Sequence, residues 1–439
     1  MIPKNDKKLI HAWAMYDWAN SVYALVITSA IFPAYYNSVT RNGDHSRVSL
    51  FGIQIENTAA YAINLGIAFG IVALLSPLLS SISDYSGNQK NFMRFFCYLG
   101  AAGCISLFFF TGSAQVYLGL GGMMLATIGY SGSIVFYNSY LPVLATEDRQ
   151  DKVSARGYAY GYLGSTTLLI LVLFFILNQN RLGISDETLL PRLSFLITGC
   201  WWMGFAQISF NKLPRGLNVK PVEKKYLFHG YLEMLKIWRR LKTEKNLRTF
   251  LAGFFFYIMG VQTVMFMAAS FGEKEIHLNM MNLILTVLIL EYIAIPGAFL
   301  FAWISKKWGN IRSLSLAVMT WILICIAAYF ISTAFHFYLV ALFIGLVMGG
   351  IQSLSRSTYS KLIPKTGNNA GYFSFYDVCE KMAMMCGLVL FGYLDHASGS
   401  MRGSILALAL WFIIGLTFLI SLFKDAPLPH TNPDRPSIS

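Results

Sequence analysis

Long apolar runs, each broken by a short polar stretch, recur along the whole chain. Twelve can be drawn, at approximately 14–38, 57–83, 94–113, 115–145, 156–179, 190–211, 248–271, 278–305, 312–332, 336–362, 371–394 and 402–423. Each is long enough to cross about 30 Å of hydrocarbon at roughly 1.5 Å of rise per helical residue. The tightest turn between neighbours is at Gly112-Ser113. Composition changes the picture in one respect. Of 439 residues, 56% are hydrophobic and 13% charged, where a soluble chain of this length carries about a quarter charged. Too much apolar material is present for a water-facing surface, so lipid must be part of the solvent. The first run begins behind Lys4, Lys7 and Lys8 and continues past Pro33. That is too long for a signal peptide and no A-x-A site follows, so it reads as a retained span.

Charge fixes an orientation. With the N-terminus in the cytoplasm and the spans alternating, 27 of the 34 lysines and arginines fall on the cytoplasmic side. Six fall outside (Arg41, Arg47, Arg181, Arg192, Lys274 and Arg402), and Lys381 lies within a span. This positive-inside bias places both termini in the cytoplasm. The longest break, 212–247, holds 11 of the cytoplasmic charges when Arg248 at its edge is included. Within it Leu227, Tyr231, Leu235, Trp238 and Leu241 recur at helical spacing among Lys236, Arg239, Arg240 and Lys242. That pattern predicts a basic amphipathic helix lying on the inner leaflet, with lipid rather than nucleic acid as its partner.

The two sides of this linker resemble each other. Gly87-Asn88 after the second run and Gly309-Asn310 after the eighth are 222 residues apart. Pro142 and Pro364, ending the fourth and tenth runs, keep the same offset, and Gly157-Tyr158 and Gly371-Tyr372 are 214 apart. Landmarks in one order at nearly one offset indicate a parallel repeat of six helices, the mark of the major facilitator fold. The expected organisation is a six-helix bundle at 1–211, a linker at 212–247, and a second six-helix bundle with a short tail at 248–439.

Ionisable residues deep in a span are candidates for function, because charge in lipid is expensive. Glu291 sits near the middle of the eighth run, and Asp377, Glu380 and Lys381 sit in the eleventh. Lys381 is about 15 Å deep at 1.5 Å per residue, near the midplane, and shares a face with Asp377 at i, i+4. Glu291 and Lys381 are expected to face each other. The group either binds a zwitterionic or anionic substrate and exchanges protons, or is a fixed ion pair between helices. In the first run Asp17, Asn20, Ser21, Ala24 and Thr28 share a small, polar face suited to a cavity, though Asp17 could equally cap a helix at the inner interface. Asn64, Tyr130, Tyr137, Asn138, Tyr160, Tyr162, Gln262, Gln352 and Tyr376 are further cavity candidates, and Arg356 is one too unless it snorkels from the inner end of its span. Six cysteines lie in apolar runs without metal spacing. No Walker A, HExxH or GxSxG pattern occurs, so neither ATP hydrolysis nor other enzyme chemistry, and no cofactor, is expected.

Several stretches resemble a known family. The loop Ser80, Asp84, Gly87, Gln89, Lys90 is similar to the G-x-x-x-D-x-x-G-x-R-K signature of major facilitators, with serine for the first glycine and glutamine for the arginine. Gly87 allows a tight turn, Asp84 can accept hydrogen bonds from a neighbouring helix end, and Lys90, Gly309 and Arg312 complete an expected inner latch between the halves. "WAMYDWANSVYALVI" from Trp13, "NSYLP" from Asn138 and "FSFYDVCEKMAMMCG" from Phe373 resemble the vacuole-effluxer-like branch, whose eukaryotic members are associated with autophagy and amino-acid efflux. Tyr16, Asp17, Asn20, Glu380 and Lys381 match that pattern. The resemblance implies a twelve-helix rocker that moves a small polar or zwitterionic solute by alternating access, as a symporter or antiporter with protons as a candidate coupling ion. A lipophilic-drug exporter and a non-transporting receptor are the alternatives. A monomer in a bacterial inner membrane suits the short loops and the absence of an N-x-S/T acceptor.

Overall fold

In the computed structural model, residues 3–40, 47–214, 224–278, 280–365, 367–398 and 401–424 are described. Arg41, linker residues 215–223 and the tail from 425 lie outside them, as do the side chains of 224–230, Leu227 included. Eleven helices among the described residues are long and apolar enough to cross a membrane: Lys7–Thr40, Ala59–Ser86, Gln89–Phe109, Ser113–Leu144, Gln150–Leu177, Leu189–Lys212, Lys245–Ala268, Asn282–Trp308, Asn310–Tyr329, Ala334–Leu362 and Met401–Ser421. One more, Asn369–Ser398, has the length but carries Asp377, Glu380 and Lys381 in its middle. In chain order these are spans one to twelve, the charged helix being span eleven. A short antiparallel hairpin, Arg47–Leu50 with Ile53–Glu56, follows span one. The loops after spans two, four, eight and ten gather with the linker helix, Lys224–Thr243, at the other end of the bundle, hereafter the basic end.

Two apolar cores divide the spans. One is built mainly from spans one to six, around Trp13, Phe32 and Trp202, with Ala370 of span eleven; the other mainly from spans seven to twelve, around Phe254, Trp321 and Phe412, with Val135, Tyr162 and the linker's Ile237 and Leu241. Within each half small residues let helix backbones touch. Gly100 meets Gly129 between spans three and four, and Gly349 meets the Ala294 backbone between spans ten and eight. Helices in lipid associate by such close packing, having no hydrophobic drive toward one another. The outer surface is correspondingly greasy: Leu74 is 79% exposed and Phe335 71%, which suits acyl chains and not water.

Span one departs from its sequence pattern twice. Its N-cap is Asp6, whose carboxylate accepts from the backbone N–H of Lys8 at 2.6 Å and Leu9 at 3.1 Å. Asp17, well inside the helix, therefore caps nothing. Tyr23–Ile31 is a π-helix, with the Thr28 and Ser29 hydroxyls donating to carbonyls five residues back, Tyr23 at 3.4 Å and Ala24 at 2.9 Å. The wider step re-aims everything beyond Tyr23, so the polar face does not continue in register to Thr28.

Candidate functional site

The seam between the halves is polar at two levels. At the basic end, Asp84 occupies the last turn of span two, where Gly87 at φ +68° stops the helix. Its carboxylate accepts from the backbone N–H groups of Ala370 at 3.2 Å and Gly371 at 2.8 Å, which open span eleven, and from the Gln89 side chain. The first N–H groups of a helix have no partner within it and carry the positive end of its dipole, so an acid there satisfies both. Gly371 lies close against the linker helix, where a Cβ would displace the tip of the Ile237 side chain.

The pseudo-equivalent junction is built the other way round. Asp151, at the start of span five, accepts from Ser305 Oγ at 2.7 Å, Asn310 Nδ2 at 2.8 Å and Lys361 Nζ at 2.8 Å, at the ends of spans eight, nine and ten. Gly309, at φ +82°, makes the turn that presents Asn310. Asn310 also donates to Thr358 at 3.0 Å and accepts from Lys361 at 2.9 Å. The two Gly-Asn landmarks thus do different work. One ends the helix whose acid reaches across, and the other positions the amide that receives an acid.

Between these junctions lies Arg356, which does not snorkel: it is 2% exposed. Its Nη1 lies 3.4 Å from Asp17 Oδ2 and 3.2 Å from Asn138 Oδ1; Nε donates to Ser154 Oγ at 2.9 Å and Nη2 to the Ser154 carbonyl at 2.7 Å. The guanidinium is also stacked among Tyr158 at 4.2 Å, Trp13 at 4.9 Å and Tyr137 at 5.5 Å from the ring centroids. Tyr137 donates a second hydrogen bond to Asp17 at 2.6 Å. Span ten is thereby tied to spans one, four and five. Gly157 makes room, since a Cβ there would lie 2.7–2.8 Å from Tyr137 Oη, Arg356 Nη2 and Asp17 Oδ2.

At mid-span the charges come from one side. Lys381 Nζ is 3.5 Å from Asp377 Oδ1 on its own helix and 5.7 Å from the Phe69 ring of span two. Gln262 of span seven donates to Glu380 at 2.8 Å. Tyr376 stacks on Phe254 at 4.3 Å and leans on Tyr359 at 4.9 Å. The expected facing of Glu291 and Lys381 is not found. Glu291 instead accepts from Ser165 of span five at 3.4 Å, and Gln352 accepts from Tyr162 of the same span at 2.7 Å.

Other expected residues lie elsewhere. Lys90 donates to the Leu213 carbonyl at 2.7 Å, pinning the end of span six within its own half. Arg312 is solvent-exposed at the first turn of span nine. Asn20 is fully buried, with Nδ2 unpartnered, in the packing of the first half. Asn64 donates to the Leu120 carbonyl at 3.0 Å, and Tyr160 meets His11 and Arg156. Sequence reasoning passed over Asp151, Ser154 and Lys361, and took Tyr158 only as a landmark of the repeat. The first three sit in short polar stretches at span ends, where nothing in spacing separates a clasp from a solvated loop.

Residues 5–425 match the family model described as "Vacuole effluxer Atg22 like". The "Uncharacterized MFS-type transporter YxiO" of Bacillus subtilis is 30% identical over 417 residues, 95% of each chain. "Autophagy-related protein 22" of Saccharomyces cerevisiae S288c is 23% identical, over 84% of this chain and 78% of the yeast protein. Among solved structures, the major facilitator FucP in its outward conformation superposes with a TM-score of 0.70 at 16% identity, covering 94% of this chain and 97% of that one. The proton:xylose symporter XylE gives 0.70 at 12% identity, covering 96% of both.

Proposed function

The chain belongs to the vacuole effluxer Atg22-like family of major facilitator transporters, and from that premise we propose that it moves an amino acid or a related zwitterionic ion by alternating access. The observation that carries the proposal is the one-sided charge at mid-span. Asp377, Glu380 and Lys381 all project from span eleven, and span two answers them with the Phe69 ring. Lys381 offers an ammonium to a substrate carboxylate. Glu380, oriented by Gln262, offers an acceptor to a substrate ammonium. Asp377 neutralises Lys381 while no substrate is present. An apolar substrate side chain would rest on Phe69. Coupling protons would be carried by carboxylates, with Asp17 and Glu291 the candidates at the seam. The basic end is the cytoplasmic face of a bacterial inner membrane in this proposal, and the family's description as effluxers favours export.

The lipophilic alternative has one feature in its favour, an apolar groove of about 200 Å³ among spans two, three and four, lined by Ile71, Val72, Leu99 and Phe136 and by no charged side chain, though Leu75 and Phe95 at its mouth face the outer surface of the first half and not the seam. Thermal melting of the purified protein across a ligand panel separates the two. Amino acids should raise the melting temperature of the wild type by mass action, and should leave Lys381→Ala unmoved. Transport should fall more than about tenfold in that variant, the scale of one lost charge-assisted contact. Stabilisation by lipophilic compounds alone, indifferent to Lys381, would overturn the proposal.

A further inference from the structure

The linker helix is expected from sequence to lay its apolar stripe on the leaflet. Of that stripe Tyr231 and Trp238 stay exposed, while Leu241 is buried with Ile237, which the stripe did not include. It runs along the basic end of span two and reaches span eleven at three points. Ile237 packs against Gly371, Glu233 Oε2 accepts from Asn368 Nδ2 at 3.2 Å, and Trp238 stacks on Phe375 at 5.9 Å between centroids and 26° between planes. The helix is therefore a strap across both halves, lying over the Asp84 clasp.

Its outer edge carries Tyr231, Leu232, Lys236, Trp238, Arg239, Arg240 and Lys242, all exposed. Lys236 is paired with Glu233 at 2.6 Å, and Lys242 sits 5.0 Å from the Trp238 ring. Cations interleaved with exposed aromatic and aliphatic side chains, on a helix at the rim of a lipid-embedded bundle, match the boundary between headgroups and acyl chains. We infer that this edge binds anionic phospholipid headgroups, and that their binding holds the basic end of the transporter closed. Each basic residue near an anionic surface contributes about 1 kcal/mol. Four such contacts, made fully only while the strap lies across both halves, suffice to shift a two-state equilibrium. Opening the basic end draws Asp84 away from Gly371, and the strap must then release span two or span eleven.

The inference rests on alternating access but not on the cargo, so it is tested without substrate. Spin labels at Lys152→Cys and Lys306→Cys, exposed positions in opposite halves, report the distance across the basic end, with Cys200, Cys379 and Cys386 changed to serine. Vesicles are made of phosphatidylcholine alone or with about one-third phosphatidylglycerol in both leaflets, so insertion direction does not matter. Anionic lipid should raise the ratio of short to long distances at least about threefold in the wild type. The combined variant Lys236→Gln, Arg239→Gln, Arg240→Gln, Lys242→Gln should lose that response while melting like the wild type. Inositol hexakisphosphate added to phosphatidylcholine vesicles should have no effect. An unresponsive wild type, a variant that still responds, or an equal shift with the soluble polyphosphate would each overturn the inference, the last by making this a site for free phosphates.

Discussion

At the basic end of the seam, the acids of all three clasps belong to the first half and the donors to the second. Asp17 faces Arg356, Asp84 faces the Gly371 N–H, and Asp151 faces Ser305, Asn310 and Lys361. At mid-span the charges of span eleven are paired within the second half and the first half supplies Phe69, while Glu291 of span eight reaches across to Ser165. Groups satisfied across a seam hold its two sides together. Groups satisfied on one side leave the other side free to move, and leave room for a third party to complete them. If the cross-seam clasps are the gate and the one-sided group is the site proposed above, weakening a clasp should open the basic end, and the variants below test that side of the difference.

Arg356 should matter most. Arg356→Leu leaves Asp17 buried with Tyr137 as its remaining partner, and breaking a buried pair from one side costs about 3–5 kcal/mol. The melting temperature should fall, and cysteine labels at the basic end should become accessible to reagent. Adding Asp17→Asn removes the orphaned charge and should restore part of both. If the double variant were no better than the single one, the knot would owe its strength to packing rather than charge. Gly157→Ala tests the same knot from the other side. The added methyl must displace Tyr137, Arg356 or Asp17, and overpacking costs about 1–3 kcal/mol, so a smaller version of the same phenotype is expected.

Asp151 and Asp84 come next, in that order. Asp151→Asn keeps an oxygen for Ser305 but loses the charge that Lys361 faces, and hydrogen bonds to charged groups are worth roughly 1.5–3 kcal/mol. Asp84→Asn still offers an oxygen to the Gly371 N–H, so about 1 kcal/mol is expected from the weaker cap. Chemical denaturation of the two variants in the same detergent ranks them. The reverse order would mean that the linker strap concentrates closure at the span two–span eleven junction.

How much of this the chain shows before folding depends on whether the signal is local. The spans, the repeat and the Asp84 turn are all local. Apolar length, charge sidedness and a glycine that stops a helix can each be read within a few residues. The Arg356 knot is not, because its partners come from three spans of the other half. In sequence, an arginine near the end of a span looks the same whether it snorkels or is buried. Lys90 shows the converse. A familiar loop pattern suggested a latch, yet its ammonium reaches back to Leu213 within its own half. Span eleven is the intermediate case. The spacing of Asp377 and Lys381 placed them on one face, but only packing shows that Glu291 answers Ser165 instead of Lys381.

The smallest effect is expected at the rim. Lys365 and Glu147 form an ion pair of 2.6 Å across the seam with the same polarity as the deeper clasps, acid from the first half and base from the second. Their side chains are 87% and 55% exposed. The neighbouring carboxylate raises the lysine's pKa, so the lysine's charge is lost only at high pH. Water and salt screen such a pair, and ordering two long side chains offsets most of what remains. Lys365→Gln should therefore leave label accessibility at the basic end within about twofold of wild type, and raising the salt should leave the wild type as unchanged. A large effect in either measurement would show that polarity across the seam, without burial, is enough to close it. The buried Arg356 knot would then be no more the gate than the exposed pair at its edge.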